Sequence, residues 1–294
     1  MSSVRNNKLW IAVFLAPTLL LFALIYAVPI FTVGITSFFD YSYAKLDFTG
    51  FANYAELFSS TLTGREFVQA LTNTVLWILL QITLHVALGV FVALGLYRKP
   101  FGWKVVRTAY MLPNIVSLAA LGIIYLNVFD SRRGLFNGLI RLFGDKSFDT
   151  NWYVEHAFMT TTVTWLVFAG LITILILADI ASISEDIYES ARIDGASGWR
   201  MDWYFTLPLV RNTIGTGIIL AATSMLKEFE LIYMTTNGGP GIATLNLPLL
   251  IYKTALIQQN YGLANAVGVI TILLGVLLTV GVTRVFLTNR SESA

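Results

Sequence analysis

Six long apolar runs decide what kind of structure this chain can form. They cover residues 10–38, 72–97, 108–129, 157–178, 212–233 and 264–287. Each is long enough to cross a hydrocarbon core of ~30 Å as a helix of roughly 20 residues. The runs are apolar on every side and lack the period-two alternation of a membrane β-barrel, so the expected fold is all-α and polytopic, with six transmembrane helices. Apolar residues make up 56% of the chain and charged residues 12%, with a mean hydropathy of +0.71. A soluble domain carries about 25% charge, so this surface needs lipid to face. The first run is too long for a signal-peptide core and has no clear cleavage site, and it reads as a retained span.

Several chemistries drop out. There are no cysteines, hence no disulfides, thiolate metal sites or Cys nucleophiles. A net charge of +2 is too small to suggest nucleic acid. The histidines are His85 and His156. His85 lies inside the second run with no nearby Asp, Glu or Cys, which favours a hydrogen bond between helices over a metal site. His156, beside Glu155, reads as a solvated loop end. No phosphate-binding Gly-rich loop with a following Lys-Ser/Thr is present, so the chain itself should bind no cofactor and hydrolyse no ATP.

Lys and Arg set the orientation. An even number of spans places both termini on one side. With that side cytoplasmic, the inner segments hold Arg5, Lys8, Arg98, Lys99, Lys104, Arg107, Arg192, Arg200, Arg211, Arg284 and Arg290. The outer segments hold Lys45, Arg65, Arg132, Arg133, Arg141, Lys146 and Lys253. The excess favours cytoplasmic termini in a cytoplasmic (inner or plasma) membrane. The loop 179–211 is then also inside. The outer loops 40–71, 130–156 and 235–263 are too short for an ordinary domain, so residues 1–294 read as one membrane domain.

The loop 179–211 is polar and charge-rich between apolar neighbours. Ser182-Ile183-Ser184-Glu185 fits a capping box, and Glu185 and Asp186 suit a helix N-terminus. Ile183, Ile187 and Ala191 fall four apart on one small apolar face. Asp194-Gly195 stops that helix, since Gly takes a left-handed cap cheaply. A second amphipathic helix starts near Arg200, and Pro208 marks the turn into the fifth span. The residues alone leave two readings open: a device that docks a protein, or a hairpin lying on lipid with Trp199 and Trp203 as anchors.

The order Glu189-Ser190-Ala191, then Gly195 after three residues, then Phe205-Thr206-Leu207-Pro208 resembles the signature loop of permease subunits of binding-protein-dependent ABC importers. Ser190 stands where Ala is usual and Phe205 where an aliphatic residue is usual. Phe229-Glu230-Leu231-Ile232-Tyr233, Thr236-Asn237-Gly238-Gly239-Pro240 and Ala243-Thr244 resemble the carbohydrate-uptake branch of that family, of the maltose and glycerol-3-phosphate type, in the first of its two permease subunits. Asn237 stands where Gly is common and Glu230 where Asp is common. The run Tyr252, Tyr261-Gly262, Ala264 and Ala266 also fits.

The resemblance implies the type I ABC importer permease fold and a division of labour. A second, homologous permease would complete a heterodimer. An ATPase dimer, holding ATP and Mg, would receive the cytoplasmic loops, and an extracytoplasmic binding protein would deliver a sugar-like solute. Glu189, Ser190, Ala191, Asp194, Gly195, Leu207 and Pro208 would form the coupling site. Glu189 and Asp194 would make polar contacts, Gly195 would set the turn and Ala191 would permit close approach.

For the solute path, charge inside a span usually faces a cavity or a partner. Lys227 and Glu230 can pair on one helix face; alternatively, Met225 and Glu228 share a face toward a pore. Thr164, Phe168 and Leu171 share a face of the fourth span at i, i+4 and i+7. Asn114 and Ser117, after Pro113, offer a further wall. Such a mixture of polar and aromatic groups suits a sugar. The rival readings are an ion-gradient-driven carrier of a small polar solute using Glu228 or Glu230, a membrane-embedded enzyme, and a purely structural subunit. The carrier leaves the capped loop unexplained, the enzyme lacks clustered histidines, and the structural subunit leaves the intramembrane charges without a role.

Overall fold

The computed structural model describes residues 2–286, with side chains from residue 10 onward. Leu287, at the end of the expected sixth span, and Arg290 lie outside the described residues, as do the side chains of Arg5 and Lys8. The helices are α1 Trp10–Thr36, α2 Ala52–Leu57, α3 Leu62–Tyr97, α4 Trp103–Asn114, α5 Leu118–Val128, α6 Leu135–Phe143, α7 Ala157–Ile180, α8 Glu185–Ile193, α9 Trp199–Leu209, α10 Arg211–Met225, α11 Glu230–Thr235, α12 Leu247–Ile257 and α13 Tyr261–Phe286. By length and composition α1, α3, α7 and α13 can each cross a membrane alone, and counting the bent pairs α4–α5 and α9–α10 as single spans gives six.

Three expected spans change shape. The second begins ten residues early, because Leu62–Tyr97 is one helix of 36 residues. The third is broken: α4 and α5 meet at 105°. Pro113 removes a backbone donor there, and Ser117 starts the new helix by accepting the Ala120 N–H at 3.2 Å. The fifth, expected over 212–233, is α10 and α11 separated by residues 226–229. Charged residues fall at that break, and side chains take over its hydrogen bonding. Glu228 Oε1 accepts the Leu231 N–H at 3.0 Å, and Asn246 Nδ2 donates to the Glu228 carbonyl at 2.5 Å. Irregular backbone of this kind is tolerated within a membrane only where protein or a cavity surrounds it.

The described residues form two compact units. The first takes in residues 1–65 and 251–270. To the helical fold that the sequence predicts it adds one short piece of sheet. The outer loop 40–71 holds an antiparallel hairpin, β1 Phe39–Ser42 and β2 Lys45–Phe48, with Asp40 opposite Asp47. Lys45 forms ion pairs with both carboxylates and relieves that like-charge pairing. Asn53 fixes the hairpin root, donating to the carbonyls of Ser37 and Phe39 at 2.8 Å each. Along α1 the most apolar stretch buries nothing, and Phe14 and Phe31 stand 77% and 71% exposed. A helix apolar all round with no protein cover is solvated by lipid.

The second unit takes in, among the described residues, 66–250 and 271–286. Its core packs α3 against α7 and α10 through Val86, Ala93, Leu94, Ile172, Ile176, Ile180, Val210, Ile218 and Ala221. Gly89 lets α3 and α7 approach closely, since a Cβ there would lie 2.8 Å from Ile172 Cγ2. The outer turn is anchored from α3. Buried Asn73 donates to the carbonyls of Ala243 (3.0 Å) and Leu245 (2.8 Å), and Thr74 Oγ1 accepts the Leu247 N–H at 3.1 Å. Asn237 takes the expected left-handed conformation at φ 48°. Replacing Asn73 by Leu strands the buried Leu245 carbonyl, worth about 1–3 kcal/mol, and the partly buried Ala243 carbonyl, worth less. We expect a loss of roughly 2–4 kcal/mol of stability, measured as a lowered unfolding midpoint of the purified subunit in detergent.

Candidate functional site

Two places in the second unit carry the chemistry. The first is a cavity of about 220 Å³ lined by residues of α3, α4, α5, α7 and α10, and by Glu228 in the break after α10. Asn114, Phe168, Leu171, Met225 and Glu228 all line it, beside Ser224, Leu118 and Leu220. Glu228 is the only carboxylate among its described lining residues. The other expected path residues lie elsewhere. Ser117 is spent capping α5. Thr164 is 1% exposed and donates to the Thr161 carbonyl at 2.6 Å. The reason is local: residues Val167–Ala169 tighten into a 3₁₀ turn, so an i, i+4, i+7 face does not run straight through it. Lys227 points into a separate groove with Thr223, Thr271, Gly275 and Thr279, and neither it nor Glu230 makes an ion pair among the described residues.

The sequence reading missed one wall altogether. Gln81, His85 and Trp165 also line the cavity. Gln81 and His85 occupy a π-helical turn, Gln81–His85, a distortion frequent at functional sites because its extra residue re-aims side chains. His85 Nδ1 lies 3.2 Å from the Trp165 carbonyl on α7, a hydrogen bond between helices. The Trp165 ring meets Trp77 edge-on at 4.7 Å, and Trp77 stacks on Phe158 at 4.9 Å. Gln81 Oε1 and Trp165 Nε1 are buried without a hydrogen-bond partner, one an acceptor and one a donor. Both residues also border a void of about 10 Å³, the room of one water molecule.

The second place is the hairpin α8–α9. Its N-cap is Ser184, which accepts the Asp186 N–H at 3.3 Å, so the expected capping box is displaced: Ser182 instead donates to the Asp179 carbonyl at 2.7 Å. Glu185 reaches along the helix to Arg192 at 3.0 Å rather than back to the cap. At the far end Gly195 has φ 83°. Its N–H bonds the Arg192 carbonyl at 3.0 Å and the Ala196 N–H bonds that of Ala191 at 2.9 Å, a Schellman stop. Tyr188, Ala191 and Met201 form a small core with Tyr97, Ile183, Ala196 and Phe205. Ala191 is therefore 1% exposed and serves contact within the hairpin, not approach from outside. Glu189, Ser190, Asp194 and Gly195 are exposed, and so is Ile193, at 87%. Leu207 packs on the core beneath, and Pro208 is exposed at the turn into α10. Trp199 and Trp203 stack at 6.3 Å and stay more than half exposed.

Residues 85–287, most of the chain, with the hairpin and all of the cavity's lining except Gln81, match the family profile described as binding-protein-dependent transport system inner membrane component. The chain belongs to that family.

The permease is 28% identical to a probable ABC transporter permease protein, YurN, of Bacillus subtilis over 98% of this chain and all of that one. It is 31% identical to the diacetylchitobiose uptake system permease protein NgcF of Streptomyces coelicolor over 83% of this chain and 71% of that one. With the sulfoquinovosyl glycerol transport system permease protein SmoG of Agrobacterium fabrum it shares 28% identity over 97% and 92%. Among solved structures, the permease superposes with a TM-score of 0.80 on a chain of a bacterial alginate ABC transporter in complex with a periplasmic protein carrying an alginate pentasaccharide, at 21% identity over 96% of this chain and 95% of that one. At that identity the likeness speaks for the fold, which is that of a type I importer permease. The permease is thus a multi-pass membrane transport subunit, and the ion-gradient-driven alternative falls away.

Proposed function

We propose that this permease passes a neutral sugar or sugar-like polyol across the cytoplasmic membrane into the cell, driven by a separate ATPase. The observation that carries this is the cavity: aromatic and aliphatic walls, with Gln81, His85, Asn114, Trp165, Ser224 and Glu228 presenting both donors and acceptors. Hydroxyl-rich solutes need that mixture, and three relatives are named for diacetylchitobiose, sulfoquinovosyl glycerol and multiple sugars. In this reading the whole chain acts as one membrane domain with both termini cytoplasmic. It binds no cofactor itself. A homologous permease completes the pore, an ATPase dimer that itself holds ATP and Mg receives the exposed face of α8, and an extracytoplasmic binding protein delivers the solute.

The direct test is gentle purification from the native membrane, with mass spectrometry of the copurifying chains and an ATPase assay. Recovery of an ATPase and a second permease, with hydrolysis raised by a binding protein plus sugar, supports the reading; a lone chain with no ATPase overturns it. Within the same preparation, Trp165→Phe keeps an aromatic side chain, though a smaller one, and removes the indole N–H. We expect KM for uptake to rise about tenfold with kcat little changed, the worth of one hydrogen bond of ~1–1.5 kcal/mol. An unchanged KM would assign that N–H to a water in the small void.

A further inference from the structure

We infer that the ion pair between Arg98 and Asp202 yokes α3 to the coupling hairpin, so that movement of the hairpin reaches the third wall of the solute cavity. The inference rests on the reading of α8–α9 as the ATPase-coupling device.

The connectivity makes the case. The chain runs directly from α7 into the hairpin and from the hairpin into α10, and the neck is closed by Thr213 Oγ1 donating to Asp179 Oδ2 at 2.5 Å. Helices α7 and α10, which line the cavity with Trp165, Phe168, Ser224 and Met225, therefore follow the hairpin covalently. Helix α3 supplies Gln81 and His85 to the same cavity but has no such continuity. It meets the hairpin at its cytoplasmic end, where Tyr97 packs on the small core with its ring 6.1 Å from that of Tyr188. The next residue, Arg98, pairs with Asp202 at the start of the π-helical turn Asp202–Thr206 of α9.

Asp202 is 8% exposed, and Arg98 is the partner that its carboxylate has. Burial pushes that carboxyl above the usual range, against the pull of the guanidinium. The Asp202 side of the pair is buried while Arg98 stands half exposed, and a pair so placed is a poor way to gain stability. What a directional pair supplies is a fixed register between two elements, here a helix and a hairpin that otherwise meet through non-directional apolar packing at Tyr97. Arg98 and Asp202 are thus positioning residues.

The chain's lack of cysteine provides the readout. Ser224→Cys places a single thiol in the cavity. Its rate of modification by a small methanethiosulfonate reagent, read as the mass gained by this chain, is measured in the whole importer in liposomes, before and after trapping with ATP and vanadate. We expect ATP to change that rate in the parent. In Arg98→Ala and Asp202→Ala the ATP response should fall at least fivefold while the ATPase still copurifies. The reversed pair Arg98→Asp with Asp202→Arg should restore it. Arg98→Lys, which keeps the charge without the planar fork, should respond partially and serves if the alanine variants fail to accumulate. A full ATP response in Arg98→Ala overturns the inference, as does a parent-like response in Arg98→Lys where the alanine variant is lost. No ATPase, or no ATP response in the parent, overturns the coupling reading itself.

Discussion

Gly195→Trp is expected to abolish uptake while leaving the subunit in the membrane. The left-handed conformation at φ 83° costs an L-residue about 1–2 kcal/mol, and it holds both hydrogen bonds of the Schellman stop. A Cβ at this position would meet nothing within 4 Å, so the chain itself has room for a side chain. Under the proposed function the steric demand comes from the ATPase seated on the exposed end of α8, beside Asp194 and Ile193. A graded series separates the two costs. Gly195→Asn tolerates the conformation and should keep most uptake; Gly195→Ala adds strain without bulk and should lose part; Gly195→Trp adds both. Measured as ATP-dependent uptake in liposomes at matched protein amounts, equal uptake in the Trp variant would remove Gly195 from coupling.

The second large effect is expected at Glu228. Its carboxylate caps α11, whose Leu231 and Ile232 are fully buried, and it lines the cavity. Glu228→Leu loses the cap, worth ~0.5–2 kcal/mol, and a hydrogen-bonding group for solute, worth ~0.5–1.5 kcal/mol. Together these amount to about 1–3.5 kcal/mol, a fall in uptake of roughly 5- to 300-fold. Glu228→Gln keeps an oxygen to accept the Leu231 N–H, so its stability should match the parent. For a neutral solute, uptake in Glu228→Gln should stay within about tenfold of the parent. Indistinguishable uptake in Glu228→Leu would take this residue out of the path.

Much of the architecture was legible because its signals are strong and local. Twenty apolar residues in a row, a run of Gly and Asn at 237–239, and a polar insert between two spans each have few structural solutions. Asn114, Phe168, Leu171, Met225 and Glu228 were placed together from spacing and the family resemblance, and they do meet. The misses share a physical origin: the spans are not uniform helices. A 3₁₀ turn at Val167–Ala169 displaced Thr164, the break at 226–229 turned Lys227 and Glu228 into different pockets, and a π turn at Gln81–His85 brought residues into the cavity from a span where His85 was read only as a hydrogen bond between helices. Hydropathy is blind to such one-residue changes of winding. The π turn had a faint signal in Gln81 and His85, two polar residues four apart in an otherwise apolar run. Ala191 was read as a contact for a partner, yet the hairpin uses that small side chain for its own closure. No pattern within one strand of sequence distinguishes an inward small residue from an outward one.

The bare surface of α1 has a consequence for how this chain can change over time. No residue of its most apolar stretch is buried by its own chain, and the family profile begins only at residue 85. Selection on α1 then comes from lipid and from neighbouring subunits, not from an internal core, and almost any apolar sequence satisfies lipid. Divergence should concentrate in α1, and it is the segment that an evolving importer can exchange, lengthen or retune to a new neighbour without disturbing the cavity or the hairpin.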